Sequence, residues 1–387
     1  MTRVDSISVV GLAGREDKVE LDLKPDVNVF FGLNGAGKTS LLRIIYSALR
    51  NDTSLLRGVA YESATVTIYS HSDDEQIVRT LIPPSSKTRS ASIGSDLFFD
   101  ENGSLVHVNG SGHFGSWKTT RMKAKSPPSR PNLKYNAAFL TTARVSGELR
   151  GVRPHPSASS SWAEDGGIEE EFSGEVQALW RRFTNRTLSE VTQIQQAGLA
   201  RILQSLFGES GEGSAEPLDA KTAFERSKEF LRRQGVSNSE TLASFRARYQ
   251  QDARLSTIVH EIDSVERRIE RAEEPRRKLQ ALVTQFFDAR KEIRFTDRDI
   301  EFSSHESAIP LGSLSSGEKQ LVRILLEMIN ASGNTIMIDE PELSMHIDWQ
   351  RQLIHALQTV NPAAQLIVAT HSPEIMADVQ DDRIFRI

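Results

Sequence analysis

The sequence predicts an α/β fold: a mixed β-sheet with an antiparallel β-subdomain at the N-terminus, plus a helical or coiled-coil insertion. A glycine-rich segment, residues 32–39, lies between a short β-favouring run and an amphipathic run typical of a helix. Two further apolar runs, residues 335–339 and 366–370, have the length and composition of buried strands. Between these parts lie long stretches whose apolar residues follow the 3-4 spacing of amphipathic helices.

Composition limits the class of protein. With 387 residues, 38% hydrophobic and 26% charged, the chain suits two or three globular domains at about 150 residues each. The absence of cysteine excludes disulfides, thiolate metal sites and cysteine nucleophiles, and it fits a cytoplasmic protein. The longest apolar runs are far shorter than the roughly 20 residues that span a bilayer, and no basic-then-apolar export signal is present, so we expect no membrane partner. The net charge of −5 means that any DNA binding must come from local patches.

The N-terminal part predicts strands. Residues 7–12 and 19–23 alternate polar and apolar side chains, as half-buried strands do, and residues 27–31 form the run before the glycine-rich segment. Residues 65–69 and 76–82 predict a hairpin.

The glycine-rich segment is Gly-Leu-Asn-Gly-Ala-Gly-Lys-Thr, ending at Thr39, and it matches the G-x-x-x-x-G-K-[ST] spacing in a strand–loop–helix context. Glycines let consecutive backbone N–H groups surround a phosphate, and the following helix N-terminus favours negative charge. Lys38 supplies a charge for the β- and γ-phosphates, and Thr39 offers its hydroxyl to Mg²⁺. The sequence therefore predicts a nucleoside triphosphate site formed by Asn34, Gly35, Ala36, Gly37, Lys38, Thr39 and Ser40.

Residues 83–131 lose periodicity and are rich in Ser, Gly and Pro, which predicts loops. Their basic residues are a solvated surface or, alternatively, a surface that faces phosphates; they are Lys87, Arg89, Lys118, Arg121, Lys123, Lys125 and Arg130. Residues 136–142 predict a strand that returns to the sheet, and residues 146–174 a mobile connection.

The middle of the chain predicts helices over residues 176–207 and 220–290, separated by a linker at 208–214. Apolar residues from Leu255 to Phe286 follow a 3-4 spacing, which is typical either of a coiled-coil arm or of an amphipathic helix packed on the core. Pro275 lies within this run, so it forms two helices or one kinked helix. We find no His/Asp/Glu cluster with the spacing of a metal-dependent nuclease there.

Three further motifs follow near the C-terminus. Ser315 and Glu318 have the spacing of a capping box before an apolar helix. A buried strand then ends in Asp339 and Glu340, and another ends just before His371.

In this order, the four motifs resemble those of the ABC-type P-loop ATPases, and the resemblance implies the fold of an ABC ATPase head. It also implies roles: Asp339 holds Mg²⁺, Glu340 activates the attacking water, and His371 contacts the γ-phosphate. Lys38 joins Glu340 and His371 as a residue of the ATP-hydrolysing centre. Ser315 and the N–H of Gly317 would contact the γ-phosphate of ATP bound to a second subunit. The implied cofactors are ATP and Mg²⁺.

The signature differs from that of transporter ATPases, because Ser316 and Glu318 stand where transporters usually have Gly and Gln. Glu318 and Lys319 resemble the RecF, Rad50 and SMC group. Residues 339–346 and 369–373 resemble the OLD-type branch of stand-alone prokaryotic ATPases, many of which serve in phage defence, as in the Septu, retron-associated and PARIS systems. A Q-loop glutamine is not evident after residues 136–142. Since few residues follow His371, we expect any nuclease, such as the TOPRIM nuclease of longer OLD proteins, to be a separate chain.

The resemblance implies an ATPase that forms a homodimer or higher homo-oligomer through ATP and controls a separate effector, a nuclease or toxin, in anti-phage defence. The alternative is a RecF/Rad50-like ATPase that binds DNA in repair or recombination. A transporter ATPase and a non-hydrolysing nucleotide-gated scaffold are further alternatives. We expect residues 1–145 and 291–387 to form the two halves of the ATPase head and residues 146–290 the helical insertion.

Overall fold

The structure is a computed structural model that describes residues 2–71, 74–81, 97–99, 105–107, 116–121, 134–141, 164–207, 218–233, 235–237, 239–287, 291–304 and 307–387. The chain forms two compact units. Unit 1 comprises Met1–Val176, Gln285–Ile293 and Glu301–Ile387, and unit 2 comprises Gln177–Thr284 and Arg294–Ile300. The predicted segment boundaries at residues 145 and 290 stay a prediction.

The described strands are β1 (Thr2–Val10), β2 (Lys18–Asp22), β3 (Val27–Phe31), β4 (Ser63–Ser70), β5 (Glu75–Leu81), β6 (Leu97–Phe99), β7 (Leu105–His107), β8 (Lys118–Arg121), β9 (Ala137–Thr141), β10 (Glu292–Phe295), β11 (Ile300–Ser304), β12 (Ser307–Ile309), β13 (Thr335–Asp339), β14 (Leu366–Thr370) and β15 (Ile384–Arg386). The described helices are α1 (Lys38–Arg50), α2 (Glu164–Phe207), α3 (Ala220–Arg233), α4 (Leu242–Gln251), α5 (Ala253–Phe286), α6 (Ser316–Asn330) and α7 (Ile347–Val360).

A parallel sheet with the strand order β15-β3-β14-β13-β9 forms one layer of unit 1. Every residue of β13 and β14 is buried, which explains why their sequences are continuous apolar runs rather than alternating ones. In the register, Phe31 lies opposite Thr370, and Asp339 lies opposite both Ala369 and Thr141. Since the strands are parallel, their carboxyl ends meet at one edge of the sheet.

An antiparallel sheet with the order β2-β1-β4-β5-β8 contains the strands predicted at residues 7–12 and 19–23, as β1 and β2, and the predicted β4–β5 hairpin. The run predicted at residues 27–31 is β3 of the parallel sheet. The side chains of β4 and β5 alternate between buried and less buried positions, as the period-two pattern predicts. Two smaller sheets, β10-β11-β12 and β6-β7, are also described. The predicted α/β class is confirmed.

Gln365 joins the two sheets through its buried amide. Its Nε2 donates to the carbonyl oxygen of Val4 in β1 (2.8 Å), and its Oε1 accepts from the N–H of Val4 (2.8 Å) and the hydroxyl of Thr335 in β13 (3.0 Å). A buried amide needs such partners because it loses its hydrogen bonds to water. Gln365 therefore fixes β1 to the start of the parallel sheet.

Helix α1 lies in the main hydrophobic core of unit 1. Its apolar side chains, such as Leu41 and Ile45, pack with those of the antiparallel sheet, such as Val66, and of the parallel sheet, such as Ile367. This double contact fixes the start of α1 relative to the carboxyl edge of the parallel sheet.

Helix α2 begins at Glu164, twelve residues before the predicted start at residue 176. The prediction of a mobile connection was wrong from residue 164 onward. Contacts with α6 give the physical reason: the Lys319 ammonium lies over the ring of Phe172, and Arg323 Nη2 pairs with Glu175 Oε1 at 3.0 Å. Tertiary packing here outweighs weak local helix propensity.

Unit 2 is helical. Apolar side chains of α2, α3 and α5, including Ile194, Phe230 and Ile269, form one hydrophobic cluster, so the apolar face of α5 packs against other helices. Helix α5 continues through Pro275, which decides against two separate helices. At Gly198 of α2, an added Cβ would lie 2.2 Å from Val265 of α5, so glycine permits this close packing. No helix in the described part of the chain combines the length and the apolar character needed to cross a membrane.

Most of the predicted basic stretch, the predicted linker at 208–214 and residue 142 lie outside the described residues. Within the stretch, Lys118 lies exposed on β8.

Candidate nucleotide site

The glycine-rich loop connects β3 to α1, as predicted. Gly35 and Gly37 have φ angles of 79° and 96°, and Gly37 is the N-cap of α1. Lys38 is 5% exposed, and its Nζ donates to the carbonyl oxygens of Gly32 (2.8 Å) and Leu33 (3.0 Å). The ammonium group therefore points back into the loop, where a bound phosphate would lie.

Glycine is required at two positions of this loop for different reasons. At Gly37, the positive φ disfavours any side chain, and a Cβ would also lie 3.1 Å from Cγ of Leu12. At Gly32, a Cβ would lie 2.6 Å from the carbonyl oxygen of Ile387, which follows β15.

Thr39 and Asp339 lie together at the start of α1 and the end of β13. Burial raises the pKa of Asp339 to about 6; the hydrogen bond from Thr39 opposes this rise, the charge of Glu340 adds to it, and Arg43 and Lys38 oppose it. Asp339 is 7% exposed, and its Oδ1 has no hydrogen-bond partner in the described part of the chain. A buried, under-satisfied carboxylate beside a hydroxyl fits Mg²⁺, which prefers oxygen ligands.

Glu340 leaves the sheet in an unusual backbone conformation. Its φ is 50°, a region that non-glycine residues rarely adopt, and its N–H donates to the carbonyl oxygen of Ala369 at 2.8 Å. Such strain of about 1–3 kcal/mol is often found at functional sites. The Glu340 carboxylate lies near enough to Asp339 to raise the pKa of that residue.

Glu342 and His371 form a close pair that sequence reasoning did not assign. Oε1 of Glu342 lies 3.0 Å from Nδ1 of His371, and it also accepts from the N–H of His371 (2.9 Å) and the hydroxyl of Thr370 (2.7 Å). Glu342 is 6% exposed, whereas the His371 side chain is 42% exposed. The sequence signal that could have identified Glu342 is its place as the third carboxylate in the run Asp339–Glu342.

The predicted capping box is present. Ser315 is the N-cap of α6: its hydroxyl accepts from the N–H of Glu318 (3.3 Å), and Glu318 accepts from the N–H of Ser315 (2.8 Å). At Gly317, a Cβ would lie 2.3 Å from the carbonyl oxygen of Ser344, so the start of α6 packs directly on the segment after β13. The hydrogen bonds of the Ser315 side chain connect it to its own helix rather than to the glycine-rich loop.

A small cavity of about 20 Å³ adjoins Asp339 on the β9 side of the sheet. Thr141, Arg323 and Asp339 line it, and each has one buried polar atom without a hydrogen-bond partner in the described residues: Oγ1, Nε and Oδ1 respectively. The volume suffices for about one water molecule, which these three atoms could bind. Gln320 also lines the cavity, and its amide donates to the carbonyl oxygen of Pro341 (2.9 Å).

The structure thus brings Lys38, Thr39, Asp339, Glu340 and His371 to the carboxyl edge of one sheet. Sequence reasoning missed Glu342, together with the cavity residues Thr141, Gln320 and Arg323.

Comparison with known proteins gives one family. The model of the family described as "AAA domain, putative AbiEii toxin, Type IV TA system" matches residues 139–377, from β9 to beyond the His371 segment.

Two relatives share shorter stretches with the chain. The "Retron Vc95 probable ATPase" of Vibrio cholerae is 29% identical over 99 residues, which is 22% of this chain and 19% of that protein. The "Septu protein PtuA" of Bacillus thuringiensis is 32% identical over 93 residues, which is 20% of this chain and 24% of that protein. The alignments therefore span about a fifth to a quarter of these relatives.

Among solved structures, the Smc head domain with an extended coiled coil from Pyrococcus furiosus, bound to the C-terminal domain of ScpA, aligns with a TM-score of 0.44 and 14% identity. The alignment covers 97% of this chain and 92% of that one. The SMC head domain from Thermotoga maritima aligns with a TM-score of 0.41 and 10% identity over 97% and 91% of the two chains. The family match covers more than half of the chain, and the protein therefore belongs to the AAA-domain family described as "putative AbiEii toxin, Type IV TA system".

Proposed function

We propose that the protein binds ATP with Mg²⁺ and hydrolyses it to ADP and phosphate. The observation that carries this proposal is the juxtaposition of Thr39 and Asp339: the hydroxyl at the start of α1 lies near enough to the buried carboxylate at the end of β13 to lower the pKa of that carboxyl. These residues come from opposite ends of the sequence, yet they form the donor set that a nucleotide-bound Mg²⁺ requires.

Each residue has a defined task. Lys38 exchanges the carbonyl oxygens of Gly32 and Leu33 for phosphate oxygens when nucleotide binds. Asp339 and Thr39 hold Mg²⁺, which supplies charge neutralisation at the β- and γ-phosphates. Glu340 orients and deprotonates the attacking water, and His371 donates to the γ-phosphate. The protein's contribution is mainly positioning and charge stabilisation.

We further propose that ATP joins two copies of the chain. The first-turn N–H groups of a helix have no partners within the helix, so the start of α6 can bind an anion. Ser315 is exposed at that start, and its present hydrogen bonds are within its own helix. We assign Ser315 and the N–H of Gly317 to the γ-phosphate of ATP held by a second copy, in a homodimer or higher homo-oligomer.

The proposed biological role is control of a separate effector protein, a nuclease or toxin, in prokaryotic anti-phage defence in the cytoplasm. Support comes from the sequence relatives named for a retron and for Septu. The helical unit, with its own hydrophobic clusters, offers a surface on which an effector could dock.

The decisive experiment compares wild type, Glu340→Gln and Lys38→Ala, with exposed Lys18→Ala as a matched control. Loss of the general base should reduce ATP hydrolysis by about 100-fold or more and trap an ATP-bound dimer. Loss of Lys38 should abolish ATP binding, whereas Lys18→Ala should behave as wild type. Hydrolysis is followed by phosphate release and dimerisation by mass photometry. Wild-type turnover in Glu340→Gln would contradict the assignment of the base.

The DNA-binding alternative stays a prediction. Its measurement is ATP-dependent affinity for duplex DNA between 50 and 200 mM salt, because contacts to phosphates weaken steeply over about that range. An absence of salt-sensitive binding would exclude it.

A further inference from the structure

We propose that Glu342 is a positioning residue for His371: it holds the ring with the Nδ1 proton directed at its own Oε1 and leaves Nε2 to face the nucleotide phosphates. The orientation of the ring is read from the structure alone, while its purpose rests on the proposed ATPase function.

The contacts of Oε1 point to one tautomer of the His371 ring. A carboxylate oxygen can only accept, so each atom that contacts it at hydrogen-bond distance must donate. Two of the three contacts are the N–H of His371 and the hydroxyl of Thr370. The third contact is His371 Nδ1 at 3.0 Å. A lone pair on that nitrogen would face the lone pairs of the carboxylate, so we assign the proton of the neutral ring to Nδ1.

The hydroxyl proton of Thr370 is free to be donated to Glu342. Its Oγ1 accepts from the N–H of Ser372 at 2.9 Å, which leaves its single proton to donate to Glu342. Glu342 thus binds three consecutive groups at the end of β14, and it fixes the backbone there as well as the ring.

The two side chains differ in burial, and this difference decides which of them can contact a ligand. Glu342 is 6% exposed and cannot reach a ligand in solvent, whereas the His371 side chain is 42% exposed. Nδ1 faces the buried carboxylate, so Nε2, at the opposite side of the ring, is the nitrogen that remains for a ligand.

This arrangement also sets the charge required for phosphate contact. Phosphate oxygens accept hydrogen bonds, so Nε2 can bind one only when the ring carries both protons. The Glu342 carboxylate offsets the charge of that imidazolium, as carboxylates do behind functional histidines elsewhere.

A second connection supports the segment from behind. Ser372 Oγ donates to Gln350 Oε1 (2.8 Å), and Gln350 Nε2 donates to the carbonyl oxygen of Met345 (2.9 Å). The segments after β13 and after β14 are therefore joined both through Glu342 and through α7. This second connection should preserve the fold when only the carboxylate is replaced.

The first test measures the tautomer in nucleotide-free wild-type protein. With ¹⁵N-labelled histidine, NMR distinguishes protonated from unprotonated ring nitrogens, and the spectrum of His371→Gln identifies the signals of His371. We expect a protonated Nδ1 for neutral His371. A neutral ring with its proton on Nε2 would overturn the proposal, and this result needs no variant of Glu342 that must fold.

The second test compares Glu342→Gln with Glu374→Gln, a control that replaces a carboxylate whose ion-pair partner is Arg351. We expect the neutral amide at position 342 to shift His371 away from the Nδ1–H form. We also expect it to lower kcat by about 10- to 100-fold with little change in KM, whereas the control should retain both values. An unchanged tautomer together with unchanged kcat in Glu342→Gln would contradict a positioning role.

The two tests separate the two proposals. A protonated Nδ1 in a wild-type protein without ATP turnover would contradict the ATPase function and leave the His371–Glu342 arrangement intact. ATP turnover with the opposite tautomer would do the reverse.

Discussion

Replacing Asp339 by asparagine should make the nucleotide-free protein more stable at neutral pH. The folded state holds this carboxyl in a buried position that raises its pKa to about 6, against about 4 in the unfolded chain. Ionised Asp339 is therefore more costly in the folded state than in the unfolded state. Asparagine has nearly the same shape, its side-chain oxygen can still accept from Thr39, and it never ionises.

The magnitude follows from the difference of about 2 pKa units. At about 1.4 kcal/mol per pKa unit, Asp339→Asn should raise the free energy of unfolding by ~3 kcal/mol at pH 7.5. For a chain of this length, that change corresponds to a rise in Tm of about 4 °C. The size of this gain depends on pH. A raised folded-state pKa contributes stability that is fully present below pH ~4 and lost as the pH rises through about 6. The advantage of the variant should therefore fall to roughly half at pH 5.

The assay is thermal unfolding in EDTA, without nucleotide, at pH 5.0 and pH 7.5. Asp17→Asn, at an exposed position of unit 1, is the matched control and should change Tm little at either pH. Adding Mg²⁺ and ATP should reverse the order, because the wild type keeps the carboxylate that the metal requires. Equal stability at pH 7.5, or an advantage that does not shrink at pH 5.0, would refute the reasoning.

Three further predictions concern unit 1 and use chemical denaturation. Gly58→Ala places a side chain at positive φ in open space, and it should lower the free energy of unfolding by about 1 kcal/mol. Gly37→Ala should lower it by more, because its Cβ would also meet Leu12, and it should weaken ATP binding as well. Gln365→Leu should lower the free energy of unfolding by about 3 kcal/mol, since it leaves the buried N–H and carbonyl oxygen of Val4 without their partners. A double-mutant cycle of Arg323→Met and Glu175→Gln should give a coupling of about 1 kcal/mol, and a value near zero would show that this pair does not hold the first turns of α2 in place.

Much of unit 1 could be predicted from local patterns. β13 and β14 are continuous apolar runs because both of their faces are buried, and this burial gives a sequence signal. The glycine-rich loop and the capping box of α6 are equally local, since each depends on residues within eight positions of one another.

The remaining features depend on contacts between distant residues. The early start of α2 depends on Phe172 and Glu175 meeting α6, which no local propensity encodes. The role of Glu342 depends on β13 and β14 being neighbours in the sheet, so that a carboxylate after one strand meets a histidine after the other. The cavity beside Asp339 likewise requires the pairing of β9 with β13.

The strand order of the parallel sheet has a consequence for synthesis of the protein on the ribosome. β3, which leads into Lys38, is made early, but both of its neighbours, β14 and β15, are made more than 300 residues later. At about 10 residues per second, the nascent chain carries its glycine-rich loop for on the order of half a minute before those neighbours exist. Pairings over such sequence distances also form slowly. A chain truncated before β14 would therefore lack the sheet that supports the loop, so that an incomplete product would be unable to bind nucleotide.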